Sequence, residues 1–483
     1  MSSPTPEIRI STLLPYVVAA TFFMEYLDTT VIATALPQMA HSFGVGPNEL
    51  SLGMTAYMLA LAVFIPVSGW VADRFGSRTV FGGAIVVFTL SSVLCGLCNG
   101  VAEFTAARVL QGLGGAMMVP VGRLIVVRST EKSRLMQAIS TITWPAIAAP
   151  VIGPPIGGFI TTFASWRWIF FLNLPFGIAA LIAVIWLVRN ERGAEPKPLD
   201  VVGFVLSGLA LTSVLYGTEL ASQTGGSVPL ALAFIAVGIV LGVVAFRHAR
   251  AHPHPLLDYS TFKIPTFSTV IITGSLSRIG IGAVPYLMPL LFQIGFGLSA
   301  YNSGLLLIAS AIGNLGMKAL TTTILRRWGF KMVAVVDMTL GGLFVIGCGL
   351  LTPATPLAAT LVVIFCYGVT RSMQFSLLAM LTYADVPPTQ TNAASTLSSA
   401  VTQMTIGMGI AFGAVSLRLA AALHREPLAA GSPHFTLGDF RLAFLFAGVL
   451  TLASVFGYLR MAHDAGAKIG GGMRKSGSLS SKA

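Results

Sequence analysis

Apolar residues fill most of the chain in stretches of about twenty, and short polar segments separate the stretches. About 20 helical residues cross the hydrocarbon core of a bilayer, so each stretch has the length of a membrane span. The predicted bounds are 13–36, 50–72, 79–98, 101–126, 136–162, 167–189, 200–221, 228–246, 266–293, 299–323, 330–351, 356–383, 390–422 and 438–461. The pattern predicts an all-α, polytopic membrane protein with about fourteen transmembrane helices.

A repeated polar segment divides the chain into two halves. Asp73–Arg78 (DRFGSR) follows the second span, and Arg326–Lys331 (RRWGFK) follows the tenth. Aligning them makes the first six spans equivalent to the last six and leaves an inserted helix pair between, a plan that places the substrate path between the halves. The predicted units are an N-terminal six-helix half over 1–190, a linker with the inserted pair over 191–264, a C-terminal six-helix half over 265–461 and a disordered cytoplasmic tail over 462–483.

Composition agrees with this reading and excludes a soluble protein. Hydrophobic residues make up 55% of the chain and charged residues 10%, and the mean hydropathy is +0.83. The net charge of +12 does not form a nucleic-acid-binding patch, because most Lys and Arg fall in alternate predicted loops, with Arg167 and Arg425 assigned to the other side. By the positive-inside rule, both termini are predicted in the cytoplasm, as in a multi-pass protein of the inner membrane.

The loop after the second span carries the first recognisable motif. Gly69–Arg78 reads G-x-x-x-D-R-x-G-x-R and resembles the signature loop of the major facilitator superfamily, which implies a transporter. A glycine permits close helix approach or a tight turn, and Asp73 can accept hydrogen bonds across an inner gate. The predicted gating residues here are Gly69, Asp73, Arg74, Gly76 and Arg78. An ordinary charged loop is the alternative, and Arg326 replaces the Asp in the second copy, so a second latch is not expected.

A charged residue in the fourth span marks a polar centre. Arg108 begins R-x-x-Q-G-x-G-G, and an Arg at the centre of a membrane helix costs about 2.5–3.5 kcal/mol on insertion scales, so it needs a partner or a wet cavity. The segment resembles a superfamily motif whose Arg serves proton transfer or organises the polar centre. A purely structural ion pair is the alternative.

The fifth span contains a Gly- and Pro-rich motif, residues 153–158 (GPPIGG), which resembles the G-P-x-x-G-G motif of antiporters in the superfamily. Small residues and prolines let two backbones approach and bend, as a rocking interface requires. The predicted gating residues here are Gly153, Pro154, Gly157 and Gly158. Packing without any meaning for antiport is the alternative, and Ala149 replaces the first glycine of the longer pattern.

The first span offers two carboxyls, Glu25 and Asp28, on neighbouring parts of one helical face. Leu27–Pro37 resembles the first-helix motif of the fourteen-helix drug:H+ antiporter family (EmrB/QacA type), and Trp166–Gly177 is a second mark of that family. A buried carboxyl on this helix could gain and lose a proton as access alternates. We therefore predict proton coupling by Asp28, Glu25 and Arg108. A carboxylate permanently paired with Arg108 or Arg123 is the alternative.

Three further segments, 114–123, 285–291 and 316–318, resemble the MdtD-type branch of that family. The resemblance covers nearly all of the chain. It implies a major facilitator fold and a proton-dependent exporter of the inner membrane, named for drugs although members carry metabolites, with iron-citrate efflux as one suggestion.

Cations outnumber acids in the predicted C-terminal spans. Arg278, Lys318 and Arg371 lie in or near spans, whereas Asp337 is the one acid well inside a span. Together with Arg123 they are the predicted substrate-binding residues, because an Arg fork matches a carboxylate. An anionic substrate is slightly favoured over a lipophilic cation, which would use aromatic walls and the Glu25/Asp28 pair. Snorkelling of Lys318 and structural roles for the two arginines are the alternatives.

The sequence thus predicts a proton-coupled transporter that exports a drug or an organic anion such as citrate or iron-citrate, driven by the proton gradient without a cofactor. Its predicted partners are a small molecule, protons and the lipid bilayer, and we expect a monomer. Proton-coupled uptake of a carboxylate and a non-transporting membrane sensor remain alternatives. An enzyme is excluded because all histidines fall in predicted loops or tails. His248, His252 and His254 are read as a solvated loop rather than a metal site, since Asp258 is the one acid nearby in sequence.

Overall fold

The computed structural model describes residues 6–130, 138, 141–142, 144–192, 198–222, 227–253, 255–257, 259–387, 390–423 and 435–462. Sixteen α-helices and no strand occur in these residues. The first half contains α1 (Pro6–Phe43), α2 (Pro47–Phe75), α3 (Ser77–Leu97), α4 (Val101–Ser129), α5 (Pro145–Phe163), α6 (Arg167–Phe171) and α7 (Asn173–Leu187). The inserted pair is α8 (Val201–Ser222) and α9 (Val228–Ala251). The second half contains α10 (Pro265–Leu290), α11 (Ala300–Trp328), α12 (Phe330–Gly349), α13 (Leu357–Ala384), α14 (Thr391–Leu423), α15 (Leu437–Ala453) and α16 (Val455–Leu459).

The predicted all-α polytopic architecture is confirmed. Among the described residues, 13 segments are long and apolar enough to cross a membrane, with α6 and α7 counted as one and α15 and α16 as another. The remaining predicted span, 136–162, corresponds to α5, whose 19 residues follow a segment outside the described residues. A helix satisfies its own backbone hydrogen bonds, so apolar stretches of this length fold as helices in a bilayer.

Several helices extend beyond the apolar stretches that predicted them. The first continues to Phe43, and α9 continues to Ala251, which is beyond the predicted end at 246. His248 is therefore helical, and its prediction as part of a loop is wrong. Hydropathy reports where polar residues begin, but a helix can project past the membrane boundary into water. The predicted disordered tail lies, except for residue 462, outside the described residues.

The two halves contact each other along two seams. The first seam is formed by α5 and α11, and the second by α2 and α14. Helix α8 packs over the second seam, since it contacts both α2 and α14. The rings of Phe64 and Phe204 lie 5.6 Å apart, and Arg418 donates to the carbonyl of Ala221 at 2.7 Å. Helix α9 packs mainly on α8 and is the outermost of the spans.

Candidate functional site

A buried ion pair lies at the centre of the first half. Asp28 from α1 and Arg108 from α4 are both sealed from solvent, and Arg108 Nη1 lies 2.7 Å from Asp28 Oδ2. The Arg108 guanidinium also stands 4.2 Å above the centroid of the Tyr57 ring, a cation–π contact from α2. This partner explains how the membrane helix tolerates the arginine. The predicted proton-coupling residues Asp28 and Arg108 are therefore brought together.

Two amides complete the environment of the Asp28 carboxylate. Gln111 Nε2 and Asn173 Nδ2 donate to Asp28 Oδ1 at 3.0 Å and 2.9 Å, and Arg108 donates to Gln111 Oε1 at 2.6 Å. Asn173 also donates to Ser92 Oγ at 2.8 Å. The carboxylate thus receives one charged and two neutral donors from helices α4 and α7. These three donors hold the carboxylate in one position, although the Nε atom of Arg108 has no hydrogen-bond partner among the described residues.

Glu25 lies one helical turn from Asp28 and has a different environment. It is 4% exposed, and its Oε2 atom is buried without a hydrogen-bond partner among the described residues. The Tyr57 hydroxyl likewise has no hydrogen-bond partner in the part of the chain that the structure describes. Both groups converge on Gly115, where an added Cβ would lie 3.1 Å from the Tyr57 hydroxyl and 3.4 Å from Glu25 Cδ. An unpartnered buried carboxylate is costly as an anion, so Glu25 is the more suitable of the two acids for exchanging a proton.

Close packing against neighbouring helices requires the glycines that follow Gln111. A Cβ on Gly112 would lie 2.7 Å from the carbonyl oxygen of Tyr57, and a Cβ on Gly114 would lie 2.7 Å from the Phe88 nitrogen. These two residues therefore let α4 approach α2 and α3 closely enough to place Arg108 against Tyr57.

The last turn of α2, which carries the beginning of the predicted loop motif, forms an ion pair within its own half. Arg128 Nη2 at the end of α4 lies 2.9 Å from Asp73 Oδ1, and both side chains are about one-third exposed. Asp73 was predicted to accept hydrogen bonds across the gate, but this partner belongs to the same half. Arg74 and Arg78 are exposed. The pair therefore ties the end of α4 to the end of α2 rather than joining the halves in this conformation.

The two loop glycines have unequal roles. Gly76 has a φ of 96°, and a side chain there would clash with Asn190. Asn190 Oδ1 accepts from the Thr79 nitrogen at 3.2 Å, which connects the loop to the end of the first half. Gly69 is exposed and has no atom within 4 Å of the position that a Cβ would take. The predicted close helix approach at Gly69 is therefore absent from this conformation.

The Gly- and Pro-rich motif of α5 packs against α1 on one face and against α11 on another. Gly153 and Gly157 face Thr30 and Thr34 of α1, where a Cβ would clash. Gly158 faces the opposite direction, and its Cβ would lie 2.9 Å from the Tyr301 Cα of α11. The carbonyl oxygen of Pro154 contacts α11, where it lies against the position that an added Cβ on Gly304 would take. Of the predicted gating residues of this motif, Pro154 and Gly158 therefore lie in the first seam, whereas Gly153 and Gly157 pack within the first half.

Hydrogen bonds between the halves occur at one end of the molecule. Gln38 donates to Gln293 at 3.2 Å, Gln293 donates to the carbonyl of Thr34 at 3.1 Å, and the Tyr301 nitrogen donates to Thr162 at 3.1 Å. These residues lie near the ends of α1, α5 and α10 and at the beginning of α11, at the end of the molecule opposite Asp73. The halves are thus bonded together at this end.

Replacing Gly158 with valine is expected to open this end, because the new side chain would clash with the α11 backbone. Overpacking typically costs about 1–3 kcal/mol, which corresponds to a roughly 5- to 150-fold shift between two conformations. The measurement is the rate at which a membrane-impermeant maleimide labels Gln38→Cys in a background without the native cysteines. Gly316→Val on α11 is the control, since it has no atom within 4 Å of the added Cβ. Equal labelling rates for the two variants would contradict a role of Gly158 in closure.

The four predicted substrate-binding cations occupy different environments. Arg278 is 5% exposed, and its Nε and Nη1 atoms have no hydrogen-bond partner among the described residues. Arg371 is half-buried, and its guanidinium lies 5.9 Å from the Phe375 ring centroid. Arg123 and Lys318 are exposed. The four cations therefore do not share one environment in the structure. Arg278 remains the candidate with unused donors inside the protein.

Sequence reasoning missed two residues of the polar centre, Tyr57 and Asn173, and quoted Gln111 only as part of a motif. Asn173 stands within Trp166–Gly177, a segment that the sequence offers only as a mark of the family, yet its side chain contacts the carboxylate of Asp28. A lone amide in an apolar helix was the available signal. Tyr57 carried no such signal, since a tyrosine in an apolar span is common.

Comparison with known proteins identifies the family. Residues 18–414 match the family model described as Major Facilitator Superfamily. MdtD of Pectobacterium carotovorum subsp. carotovorum (strain PC1), named for multidrug resistance, is 34% identical over 432 residues, which cover 89% of this chain and 91% of the relative. The corresponding protein of Escherichia coli O7:K1 (strain IAI39 / ExPEC) is 36% identical over 417 residues, which cover 85% and 87%.

A solved structure has the same overall fold. A peptide transporter of the POT family, crystallised in an auto-inhibited form, aligns with a TM-score of 0.65 and 15% sequence identity over 93% of this chain and 98% of the other. With the family match and the relatives, this makes the chain a multi-pass membrane transporter of small molecules rather than an enzyme. The chain belongs to the major facilitator superfamily, in the branch that MdtD represents.

Proposed function

We propose that this transporter is an H+ antiporter of the inner membrane that exports a small molecule and is driven by the proton gradient without a cofactor. The observation that carries the proposal is the unpartnered Glu25 carboxyl, buried one helical turn from the Asp28–Arg108 ion pair. A buried carboxyl can take a proton from one side of the membrane and release it to the other only if nothing fixes its charge. The network around Asp28 fixes that group, whereas Glu25 has a free oxygen.

The two acids therefore have different roles in the proposed cycle. Glu25 exchanges the proton, and Asp28 keeps Arg108 in place against Tyr57. When Glu25 becomes an anion, it adds a second negative charge beside the Asp28–Arg108 pair, which favours movement of a donor toward it. The change in charge on α1 can then act on the first seam, because α5 packs directly on α1. Protonation and access are coupled through this contact.

We infer the direction of transport from the relatives, since a single conformation is compatible with both directions. The distribution of Lys and Arg favours cytoplasmic termini, and the bonded end that contains Gln38 is then the outer end. A protein closed at its outer end can accept substrate from the cytoplasm, as the first step of export requires. The name of the MdtD relatives, which refers to drug resistance, also favours export. Uptake of a carboxylate is the second candidate, because the same carboxyl chemistry serves both directions.

We further propose an organic anion as the substrate class, such as citrate or its iron complex. Arg278 carries two unused donors and is nearly sealed from solvent. A guanidinium without a partner in this environment is suited to receive a carboxylate, which it binds through two parallel hydrogen bonds. A lipophilic cation gains nothing from this group.

The test uses inverted membrane vesicles that contain the protein and an acidic interior. Addition of substrate is expected to raise the internal pH, because each molecule that enters the vesicle exchanges for protons. In Glu25→Gln this signal is expected to fall to that of vesicles without the transporter, since an amide cannot exchange a proton. Citrate, iron-citrate and a lipophilic cationic dye are compared as substrates.

Glu103→Gln is the matched control for Glu25→Gln. Glu103 is exposed at the beginning of α4 and accepts from the Asn99 nitrogen at 3.0 Å, a bond that glutamine can keep. In vesicles that contain Glu103→Gln, the internal pH should rise on addition of substrate as it does with the wild type. Full coupling in Glu25→Gln would contradict the assigned role of Glu25. A signal that requires substrate loaded inside the vesicles would favour uptake.

A further inference from the structure

A cluster of metal-binding side chains lies where α8 begins and α9 ends. It contains Asp200, His248 and His252, and their ligand atoms all lie within 4.8 Å of one another. Asp258 is the acid nearest to these histidines in the sequence, but the cluster contains a different carboxylate. Asp200 is remote in sequence, but the antiparallel packing of α8 on α9 brings it to 2.8 Å from His248 Nε2. His254 and Asp258 lie outside the described residues.

The two histidines are already aligned on one side of α9. They are four residues apart, which places their side chains one above the other on a helix. Their ring centroids are 5.3 Å apart, and both side chains are half-buried. An ion can therefore reach the rings from the aqueous surface at the end of the helix.

Asp200 is held in place by backbone groups. It is 4% exposed, and its carboxylate accepts from the Gly203 nitrogen at 2.8 Å and from the Leu256 nitrogen at 3.2 Å. A side chain at residue 203 would clash with the carboxylate, so the glycine leaves room for it. Each carboxylate oxygen has two lone pairs, and the two backbone bonds leave others available for an ion.

We propose that Asp200, His248 and His252 bind a divalent transition-metal ion such as Zn²⁺, Co²⁺ or Ni²⁺. Two imidazoles and one carboxylate are ligands that these ions prefer, and a fourth position remains for water. Ligands of a tetrahedral zinc ion with bonds of about 2.0–2.1 Å lie about 3.3 Å apart. The hydrogen-bonded atoms of Asp200 and His248 are 2.8 Å apart, so the ion replaces this bond after a small separation of the side chains.

The bound ion would join the ends of the inserted pair. The Asp200 carboxylate precedes α8, and both histidines lie at the end of α9, so one ion links the two helices and the segment around Leu256. Anything that binds the folded protein alone stabilises it in proportion to the logarithm of its concentration. The melting temperature should therefore rise with the concentration of the metal.

The experiment is a titration of the detergent-purified protein, prepared with an affinity tag that contains no histidine. Isothermal titration calorimetry with Zn²⁺ is expected to show one saturable site. Co²⁺ is expected to produce a visible absorption band with the intensity of four-coordinate nitrogen and oxygen ligands. His252→Ala and Asp200→Asn should each weaken binding by at least about tenfold. His41→Ala, which removes an exposed histidine at the end of α1, should bind as the wild type does.

The wild-type titration alone can overturn the proposal, since a protein without saturable binding or without the Co²⁺ band has no such site. Equal affinities in the wild type and in His252→Ala would also overturn it, because the ion would then be held by other residues. His252 caps the end of α9, is half-buried and takes part in other contacts, so the metal-free melting temperature of His252→Ala is measured beside its affinity for the metal. This measurement separates loss of a ligand from loss of the fold.

Discussion

Replacing Arg108 with leucine is expected to lower the free energy of unfolding by about 3–5 kcal/mol, because it leaves the Asp28 carboxylate buried without its charged partner. The two amides that also contact Asp28 cannot supply the missing charge. Transport should be lost at the same time, since the group that organises the polar centre is gone. The measurement is reversible unfolding in mixed detergent micelles, together with substrate transport in vesicles.

Two controls isolate the ion pair from the volume of the side chain. Asp28→Asn in the Arg108→Leu background should restore part of the stability, because the uncompensated charge disappears. Arg128→Leu removes the partner of Asp73 from a pair that is about one-third exposed, and such pairs contribute about 0–1 kcal/mol. If Arg108→Leu lowers the free energy of unfolding by no more than Arg128→Leu does, the buried pair does not stabilise the first half.

Replacing Arg278 with methionine is expected to change stability and transport in opposite directions. Burying an unpartnered polar group costs about 1–3 kcal/mol, and more when it is charged, so its removal should raise the free energy of unfolding by at least that order. Methionine fills a similar volume without a polar atom to satisfy. Transport of citrate or iron-citrate should be lost, whereas transport of a lipophilic cationic dye should remain. Unfolding and vesicle assays on the same preparation provide both values.

Arg371→Met is the matched control for this prediction. Arg371 is half-buried and lies near the Phe375 ring, so its removal should neither raise stability as much nor abolish anion transport. A stabilised Arg278→Met protein that still carries the anion would show that Arg278 is not a substrate ligand. A destabilised one would show that the guanidinium has a structural partner.

The fold was largely predictable because the bilayer leaves little choice. Apolar stretches of about twenty residues must be helices there, and most predicted spans coincide with helices of the structure. Helix ends were less predictable, as α9 shows, since a helix need not end where the apolar residues end. The charged residues of the polar centre were predicted, because a charge inside a membrane helix is costly and therefore needs a partner or a wet cavity.

The contacts within the site were not predictable from the sequence. Asp28 could have paired with Arg108 or with Arg123, and only the packing of α1 on α4 decides for Arg108. The contrast between Asp28 and Glu25 depends on Asn173 and Gln111, which approach one carboxyl and not the other. Likewise, Asp200 and His248 are distant in sequence and meet only because α8 and α9 are antiparallel. Spacing along a helix predicts which residues are neighbours on that helix, but it does not predict their contacts with a facing helix.

The placement of α8 over the second seam makes the two flanks of the transporter unequal toward lipid. On that flank, a molecule dissolved in the bilayer meets α8 before it reaches α2 or α14. On the other flank, neither helix of the inserted pair packs over α5 and α11, and the apolar side chains of Phe159 and Phe163 are exposed beside Tyr301. A lipid-soluble compound that approaches from the bilayer would therefore meet the seam itself on this flank and a covering helix on the other.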